Sequence, residues 1–466
     1  MFGRKTRNGV EMLRLVVNGM KGLAAGLVAY PIAERLEGRD IRSKRRLFAA
    51  EMALPFAQRR THSWAEAVDM VRFAAANVPY YRDLFSNIRF DPENLLRDPK
   101  YWMDLPHLTK DIIRSEGERL LRSDHAGFKK FDAKTGGSTG PSAHIYYDQD
   151  GADWTSAVVR YARARIGNHH MRSELHFASR FPDAIPWKAK LREDFKCFAM
   201  NRYNIFFSTF EPDELEAIWQ KIRSIRPHLV HGHPSTIYQL ALHVEARHGG
   251  GKAFSIFESS GELLEKKQRE TIARALRCQV IDRYGLAEAG VVAYQTDPDR
   301  SALDVFDPLC WPEVTPVEGG AELEDVPGAS RGELMITTLK NRLMPLIRYR
   351  TGDLAVLSET ADGFFVHELM GRVHDVIQIA GRQLPTHYVQ DVLDRVGGIK
   401  EFQIVMRDGK PVFRIVPEDG ADVEGIRGRL SGWWGDATGI EFIAPSELKL
   451  QGWRGKFRHF VPEAAV

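Results

Sequence analysis

Between Ala65 and Val78 the apolar residues Ala67, Val68, Met70, Val71, Phe73 and Ala74 recur at intervals of three and four, the period of a helix with one buried face. Val78-Pro79 ends that helix, because proline disfavours helical geometry in the residue before it. From Phe128 onward short β-rich runs alternate with helical ones. The pattern predicts strands at Ala143–Tyr147 and Glu174–Phe177 and helices at Asp150–Ile166 and Pro212–Ile225, and the alternation continues to about Asp353. Strands separated by helices imply mixed or parallel sheets faced by helices, hence an α/β body. After Gly371 the rhythm changes to a strand over Val373–Ala380, a helix over Pro385–Val396 and a hairpin over Phe402–Val416 turning at Asp408-Gly409. A helix at Val423–Trp434 and a strand at Ile440–Ile443 follow, which together make a small α+β unit close to a split βαβ plan. The expected organisation is a helical extension over residues 1–64, a large domain over 65–371 and a small one over 372–466.

Composition narrows the class. A chain of 466 residues with 43% apolar and 27% charged positions is long enough and apolar enough for two or three packed domains, so disordered and fibrous readings fall away. Lys plus Arg number 65 against 62 Asp plus Glu, and a balance so near neutral offers no field for nucleic acid, which is not expected as a partner. Cys197, Cys278 and Cys310 are odd in number and widely spaced; neither a disulfide framework nor a zinc site is indicated, and a cytoplasmic, reducing compartment is expected. At the N-terminus Arg4, Lys5 and Arg7 precede an apolar stretch whose longest uncharged run is Gly22–Ala33. A spanning helix needs about 20 apolar residues, so no transmembrane segment is predicted. A helix over Val10–Leu36 can either pack on the body or make a peripheral membrane contact.

Candidate chemistry lies in loops. Thr135-Gly136-Gly137-Ser138-Thr139-Gly140-Pro141 packs three glycines and three hydroxyls between β-rich runs, and such a loop can gather backbone N–H groups and hydroxyls around a phosphate. No Gly-Lys-Ser/Thr ends it, so it is not a Walker loop. In Val280-Ile281-Asp282-Arg283-Tyr284-Gly285-Leu286-Ala287-Glu288, Tyr284 can stack on a base and Glu288 is a hard oxygen ligand suited to Mg²⁺. Asp353, in Tyr349-Arg350-Thr351-Gly352-Asp353, can accept both hydroxyls of a ribose, and Arg372, in Gly371-Arg372-Val373-His374-Asp375, can bond ribose or phosphate. Lys456 follows a glycine in the basic tail segment Gly452–Arg458.

In this order and at these intervals the segments resemble the adenylate-forming superfamily of acyl-CoA synthetases, luciferases and peptide-synthetase adenylation domains. Asn77-Val78-Pro79-Tyr80-Tyr81-Arg82 and Leu105-Pro106-His107-Leu108-Thr109-Lys110-Asp111 look like signatures of the phenylacetyl-CoA ligase group and its capsule-biosynthesis relatives, and Ser259-Ser260-Gly261-Glu262 fits the adenine-side loop. The resemblance implies a large multi-sheet α/β N-terminal domain with a small α+β lid, and a two-step ligase using ATP, Mg²⁺ and coenzyme A. By that similarity Thr135, Gly136, Gly137, Ser138, Thr139 and Gly140 hold the β- and γ-phosphates. Ser260, Gly261, Glu262, Tyr284 and Gly285 frame the adenine, Glu288 binds Mg²⁺, Asp353 holds the ribose, and Lys456 neutralises charge on the attacking carboxylate and α-phosphate. His374 and Asp375 would form the hinge, and His231, Gly232 and Pro234 would contact a small-molecule carboxylic acid. Three departures stand out: Ala287 replaces the usual hydroxyl before the metal-binding glutamate, His374 stands where an aspartate is common, and Ser142-Ala143-His144 follows Pro141 with no lysine ending the phosphate loop. An adenylyl transferase that couples to an amine or hydroxyl stays open as an alternative, and Ala287 and His374 leave open a scaffold in envelope polysaccharide biosynthesis that binds nucleotide without turnover.

Overall fold

The computed structural model describes residues 18–134, 143–169, 171–179, 186–207, 212–316, 328–372, 376–379, 382–385, 393, 396–435, 439–451, 456–457 and 460–461. The chain opens with helix α1 (residues 18–36), whose middle turn Ala24–Ala29 is π-helical. Helices α2 (Ile41–Met52), α3 (Phe56–Asn77) and α4 (Pro79–Ile88) follow, then α5 (Lys110–Glu116). The predicted helix thus ends where Val78-Pro79 requires, but it begins nine residues earlier and runs unbroken through the expected boundary at residue 64. Polar side chains obscured that first half, because Arg59 and Ser63 are buried against Asp307 by hydrogen bonds rather than by apolar packing.

Two large sheets form the body. Strands β1 (Phe131–Lys134) and β2 (His144–Tyr147) pair as a ribbon, and α6 (Gln149–Arg165) follows with Asp148 capping its N-terminus. A five-stranded sheet comprises β3 (Glu174–Ser179), β4 (Arg202–Phe207), β5 (Leu229–Gly232), β6 (Ile256–Ser259) and β7 (Gln279–Ile281) in the order β4-β3-β5-β6-β7, with every pair parallel. The crossovers contain α7 (Trp187–Ala199), α8 (Pro212–Ile225), α9 (Pro234–His248) and α10 (Lys266–Leu276). Leu175, Val230 and Phe257 meet Trp219, Ile237 and Ile272 in one core, so the strands are buried as parallel sheets require.

The second sheet is antiparallel and seven-stranded. It runs β11-β12-β13-β14-β10-β9-β8, comprising β8 (Arg283–Leu286), β9 (Gly290–Tyr294), β10 (Leu303–Val305), β11 (Cys310–Pro316), β12 (Ala329–Thr338), β13 (Tyr349–Glu359) and β14 (Phe364–Arg372). Its core also takes in α3 and α4, through Val71, Ala74, Tyr81 and Phe85. Strands β15 (Val376–Ile379) and β16 (Arg382–Pro385) form a separate ribbon.

A third core lies in the C-terminal unit, around Phe402, Phe413, Ile426, Leu430 and Trp434. Its hairpin β17 (Ile399–Arg407) and β18 (Lys410–Pro417) turns at Asp408 and Gly409, whose φ angles of +50° and +71° match the two-residue primed turn that the sequence predicts. Helix α11 (Val423–Trp434) has the predicted limits. Strand β19 (Gly439–Phe442) extends the sheet beside β18, and β22 (Phe460–Val461) extends it beside β17. The predicted helix at Pro385–Val396 lies mostly outside the described residues, of which Leu393 and Val396 are helical and buried. Between β19 and β22 in the chain, β20 (Leu450–Gln451) and β21 (Lys456–Phe457) form a two-residue ladder.

Candidate active site

The site is assembled where the β8–β9 hairpin meets the start of β13. In the sheet order β9 lies three places and β8 four places from β13, yet the sheet curls enough for their side chains to meet. Tyr284 on β8 donates its hydroxyl to Asp353 Oδ2 at 2.7 Å, and Tyr349 on β13 donates to Glu288 Oε1 at 2.7 Å. Each segment supplies one phenol and one carboxylate four residues apart, so the two bonds form a reciprocal clasp. Glu288 and Asp353 are 6% and 9% exposed. A phenol hydrogen bond fixes the orientation of a carboxylate, which has about four acceptor sites in all.

Backbone strain and irregular pairing aim these groups. Arg348, immediately before β13, has φ +48°, a left-handed conformation that non-glycine residues adopt at a cost. It is 2% exposed and held by hydrogen bonds from its guanidinium to Leu105 O at 2.6 Å and Glu313 Oε1 at 3.2 Å. Between Glu333 and Met335 the β12–β13 register shifts, a bulge that turns Asp353 out of the ladder. Gly352, at φ +79°, supplies the conformation, and its N–H donates to Glu333 Oε1 at 3.1 Å.

Both N-terminal signature segments brace this turn. Tyr81, 2% exposed, donates to Pro345 O and accepts from Ile347 N. Leu108 exchanges backbone hydrogen bonds with Arg348 O and Arg350 N, and the Thr109 hydroxyl caps α5. Burial pushes the Tyr81 phenol well above its usual range, which keeps it neutral. Ala287 carries no side-chain hydroxyl, but its carbonyl accepts from Tyr147 Oη at 2.8 Å.

On the other side, the C-terminal ends of β5 and β6 bring two predicted segments together. Ser260 N–H donates to Gly232 O at 3.0 Å, and Glu262 Oε2 accepts from Ser235 N–H at 3.2 Å beside Pro234. Gly261 has φ +82°. A Cβ on Gly232 would lie 3.3 Å from Phe177 Cβ, so the position has little room for a larger residue.

His231 points into a buried charge cluster that carried no sequence signal, its members being scattered from 163 to 294. Glu258, fully buried, receives Arg163 Nη2 at 2.6 Å, Tyr294 Oη at 2.6 Å and Arg283 Nη1 at 3.4 Å. His231 Nδ1 sits 2.8 Å from Glu258 Oε2, off the line that a ring N–H bond requires. Arg163 also reaches Glu174 at 2.6 Å, which accepts from Asn168 at 2.8 Å. Burial works against the Glu258 charge, but Arg163, His231 and Arg283 hold the carboxyl well below its usual range. Burial lowers His231 to about 3, which makes it a neutral imidazole. Burial works against the Glu174 charge, but Arg163 together with His176 and Arg160 brings it down to about 2.

The remaining predicted residues are placed unevenly. Arg372 lies in register with Asp353 on β14. Lys456 pairs with Gln451, and Lys449, just before that ladder, is tied by two hydrogen bonds between its backbone and the buried Gln403 amide. Gly285 lies on β8, where a Cβ would approach Gly290 O at 3.0 Å. Tyr284 is 7% exposed with its ring in the core, so its observed role is to hold Asp353. Thr135, Gly136, Gly137, Ser138, Thr139, Gly140, His374 and Asp375 lie outside the described residues.

Among the described residues, Glu216, His243 and His248 form the one group with spacing for a metal. Both imidazoles lie 2.9 Å from the same Glu216 oxygen and Arg247 lies 3.9 Å away, so the group ties α8 to α9.

No protein-family model matches the chain. Its structure superposes on that of 2-hydroxyisobutyryl-CoA ligase in the postadenylation state with a TM-score of 0.66 at 16% identity, covering 88% of this chain and 90% of that one. An open conformation of the same ligase, in complex with 2-HIB-AMP and CoA, gives 0.54 at 18% identity, covering 88% and 92%. The fold is therefore that of an adenylate-forming enzyme, with a large N-terminal and a small C-terminal domain. In sequence the chain is 25% identical over 331 residues to phenylacetate-coenzyme A ligase of Escherichia coli (strain K12), covering 67% of this chain and 70% of that protein. It is 24% identical over 337 residues to the Pseudomonas putida enzyme of the same name, covering 69% and 73%. In sequence the chain is thus similar to phenylacetate-coenzyme A ligases, and in fold to 2-hydroxyisobutyryl-CoA ligase.

Proposed function

We propose that the protein is an AMP-forming carboxylate ligase that activates a small carboxylic acid with ATP and passes the acyl group to coenzyme A. The observation that carries this reading is the reciprocal clasp presenting Glu288 and Asp353, in a chain whose relatives are phenylacetate-coenzyme A ligases. An oxygen of the acid attacks the α-phosphorus of ATP, the bond to the bridging oxygen of the β-phosphate breaks, and pyrophosphate leaves. The coenzyme A thiol, losing its proton to solvent, then attacks the acyl carbonyl, and the bond to AMP breaks. Positioning and charge stabilisation supply most of the rate in such displacements.

In this reading Asp353 accepts the ribose hydroxyls, the Thr135–Gly140 loop holds the outer phosphates, and Lys456 meets the developing negative charge. Glu262 and Ser260 border the adenine, and His231, Gly232 and Pro234 line the acid pocket. Glu288 suits Mg²⁺, because it is buried and Tyr349 occupies only Oε1. Mg²⁺ when bound neutralises phosphate charge. The lid begins near Arg372 with His374 and Asp375 as its hinge. Cytoplasmic placement belongs to the same reading, supported by three cysteines without a disulfide.

The test is pyrophosphate release across a panel beginning with phenylacetate and other arylalkanoic acids, followed by coenzyme A-dependent AMP formation. Lys456→Ala should abolish pyrophosphate release while leaving Mg-ATP binding measurable by calorimetry. A wild-type protein that binds no Mg-ATP would overturn the reading.

A further inference from the structure

Helix α1 is amphipathic in the unusual sense. Its small residues Gly22, Ala25, Gly26 and Ala29 are buried against the body, while Met20, Leu23, Leu27, Val28, Ile32 and Leu36 are 48–76% exposed. The contact is close, since a Cβ on Gly22 would meet Met171 O at 2.1 Å. Asn18 Nδ2 to Ile225 O and Lys21 Nζ to Tyr203 Oη, at 3.4 and 2.6 Å, fix the same face inward. An unbroken α-helix turns about 100° per residue and would set Leu23 and Ile32 on opposite sides. The π turn Ala24–Ala29 takes more residues per turn and returns Ile32 and Leu36 to the outward side.

Helix α7 packs against that turn and repeats the arrangement. Trp187, Leu191, Phe195 and Phe198, spaced four, four and three apart, are 68%, 60%, 44% and 40% exposed, which is a single stripe along the helix. The two helices together carry ten of the eighteen large apolar side chains exposed among the described residues. Monomeric soluble proteins rarely expose so much contiguous apolar surface without a partner.

The charge around this face selects the partner. Lys188, Lys190, Arg192 and Lys196 on α7 outnumber Glu193 and Asp194, with Arg192 paired to Glu37 at 3.1 Å and Lys196 to Glu193 at 3.7 Å, while α1 carries Arg35 beside the buried Glu34. In sequence, Arg4, Lys5, Arg7 and Arg14 precede α1 with Glu11 the only acid among them. A second copy would set these cations against their own kind, whereas anionic headgroups would neutralise them while the apolar stripes enter the acyl boundary. We infer that the paired outer faces of α1 and α7 form a docking surface for an anionic lipid bilayer, on which the protein lies without crossing it. Among the described residues no helix is long and apolar enough to span one. This surface is independent of the adenylation chemistry and holds whatever acid is activated.

The test is flotation of the full chain with vesicles of phosphatidylcholine alone and of phosphatidylcholine mixed with phosphatidylglycerol. The expected result is binding to the mixed vesicles, weakened by salt, with a blue shift in tryptophan emission that Trp187→Phe diminishes. The double variant Leu191→Glu, Phe195→Glu should lower partitioning at least about tenfold. Because these positions are exposed, its thermal unfolding should match the wild type. Lys188→Gln with Lys190→Gln should weaken binding to anionic vesicles roughly tenfold or more. Wild-type protein that remains unbound with both vesicle types would overturn the inference. So would vesicle binding unaffected by both double variants, or sedimentation showing a dimer that Leu191→Glu, Phe195→Glu converts to monomer.

Discussion

Two regions of this molecule bury carboxylates, and they do so in opposite ways. Behind the parallel sheet, Glu258 is surrounded by Arg163, Arg283, Tyr294 and His231, so its lone pairs and charge are consumed inside the protein. At the curled antiparallel sheet, Glu288 and Asp353 each accept from a phenol, which orients the carboxylate. The first arrangement fixes strands β3, β5 and β6 to α6. The second orients two carboxylates beside a hairpin. A buried carboxylate by itself therefore does not mark an active site; what matters is which partners hold it.

The sharpest way to break that contrast is Glu258→Ala. It leaves Arg163 buried with half its partners and should cost about 3–5 kcal/mol of stability, read by denaturant unfolding. Glu288→Gln should do the reverse. Adenylation, read as acid-dependent pyrophosphate release, should fall about 10²–10³-fold, while stability shifts by no more than about 1 kcal/mol. Asp353→Asn removes a charged acceptor and should weaken Mg-ATP binding by about 1.5–3 kcal/mol, roughly tenfold or more, in calorimetry. If Glu288→Gln proved as destabilising as Glu258→Ala, the two regions would not differ in the way described.

The first region also contributes acid sensitivity. His231 is held at about 3 against an ordinary 6.5, so the unfolded chain takes up a proton that the native site refuses. Its contribution to stability is complete above pH 6.5 and is lost as pH falls toward 3, with a slope of at most about 1.4 kcal/mol per pH unit. Glu174, at about 2 against 4.5, adds loss of the same sign below pH 4.5. His231→Gln should flatten the limb above pH 4.5 in a series of urea unfolding curves. The smallest effect is expected from Tyr349→Phe, which removes one hydrogen bond and should cost about 0.5–1.5 kcal/mol. It should raise KM for Mg-ATP more than it lowers kcat.

Much of the fold was legible because periodicity and punctuation act locally. Pro212–Ile225 and Val423–Trp434 form helices with the predicted limits, and Asp408-Gly409 turns the hairpin. The first half of α3 was not legible, since Arg59 and Ser63 are buried through a partner some 250 residues away. In the site, Glu288, Asp353 and Tyr284 could be picked out as candidate chemistry. Tyr349 was visible in its motif but carried no assigned role, because that role exists only when β13 and the β8–β9 hairpin meet. Tyr81 and Leu108 lie in segments recognisable as signatures, yet they act on the turn before β13 rather than on a ligand.

The sequence by itself determined the α/β body, the separate C-terminal unit and the loops rich in chemical groups, because helix and strand periods, turn residues and composition report on neighbours along the chain. Only the tertiary structure decided which groups hold each buried carboxylate, and which face of α1 points outward. Those outcomes depend on partners brought from 25 to 207 residues away, and on a sheet curl and a π turn that no local pattern encodes.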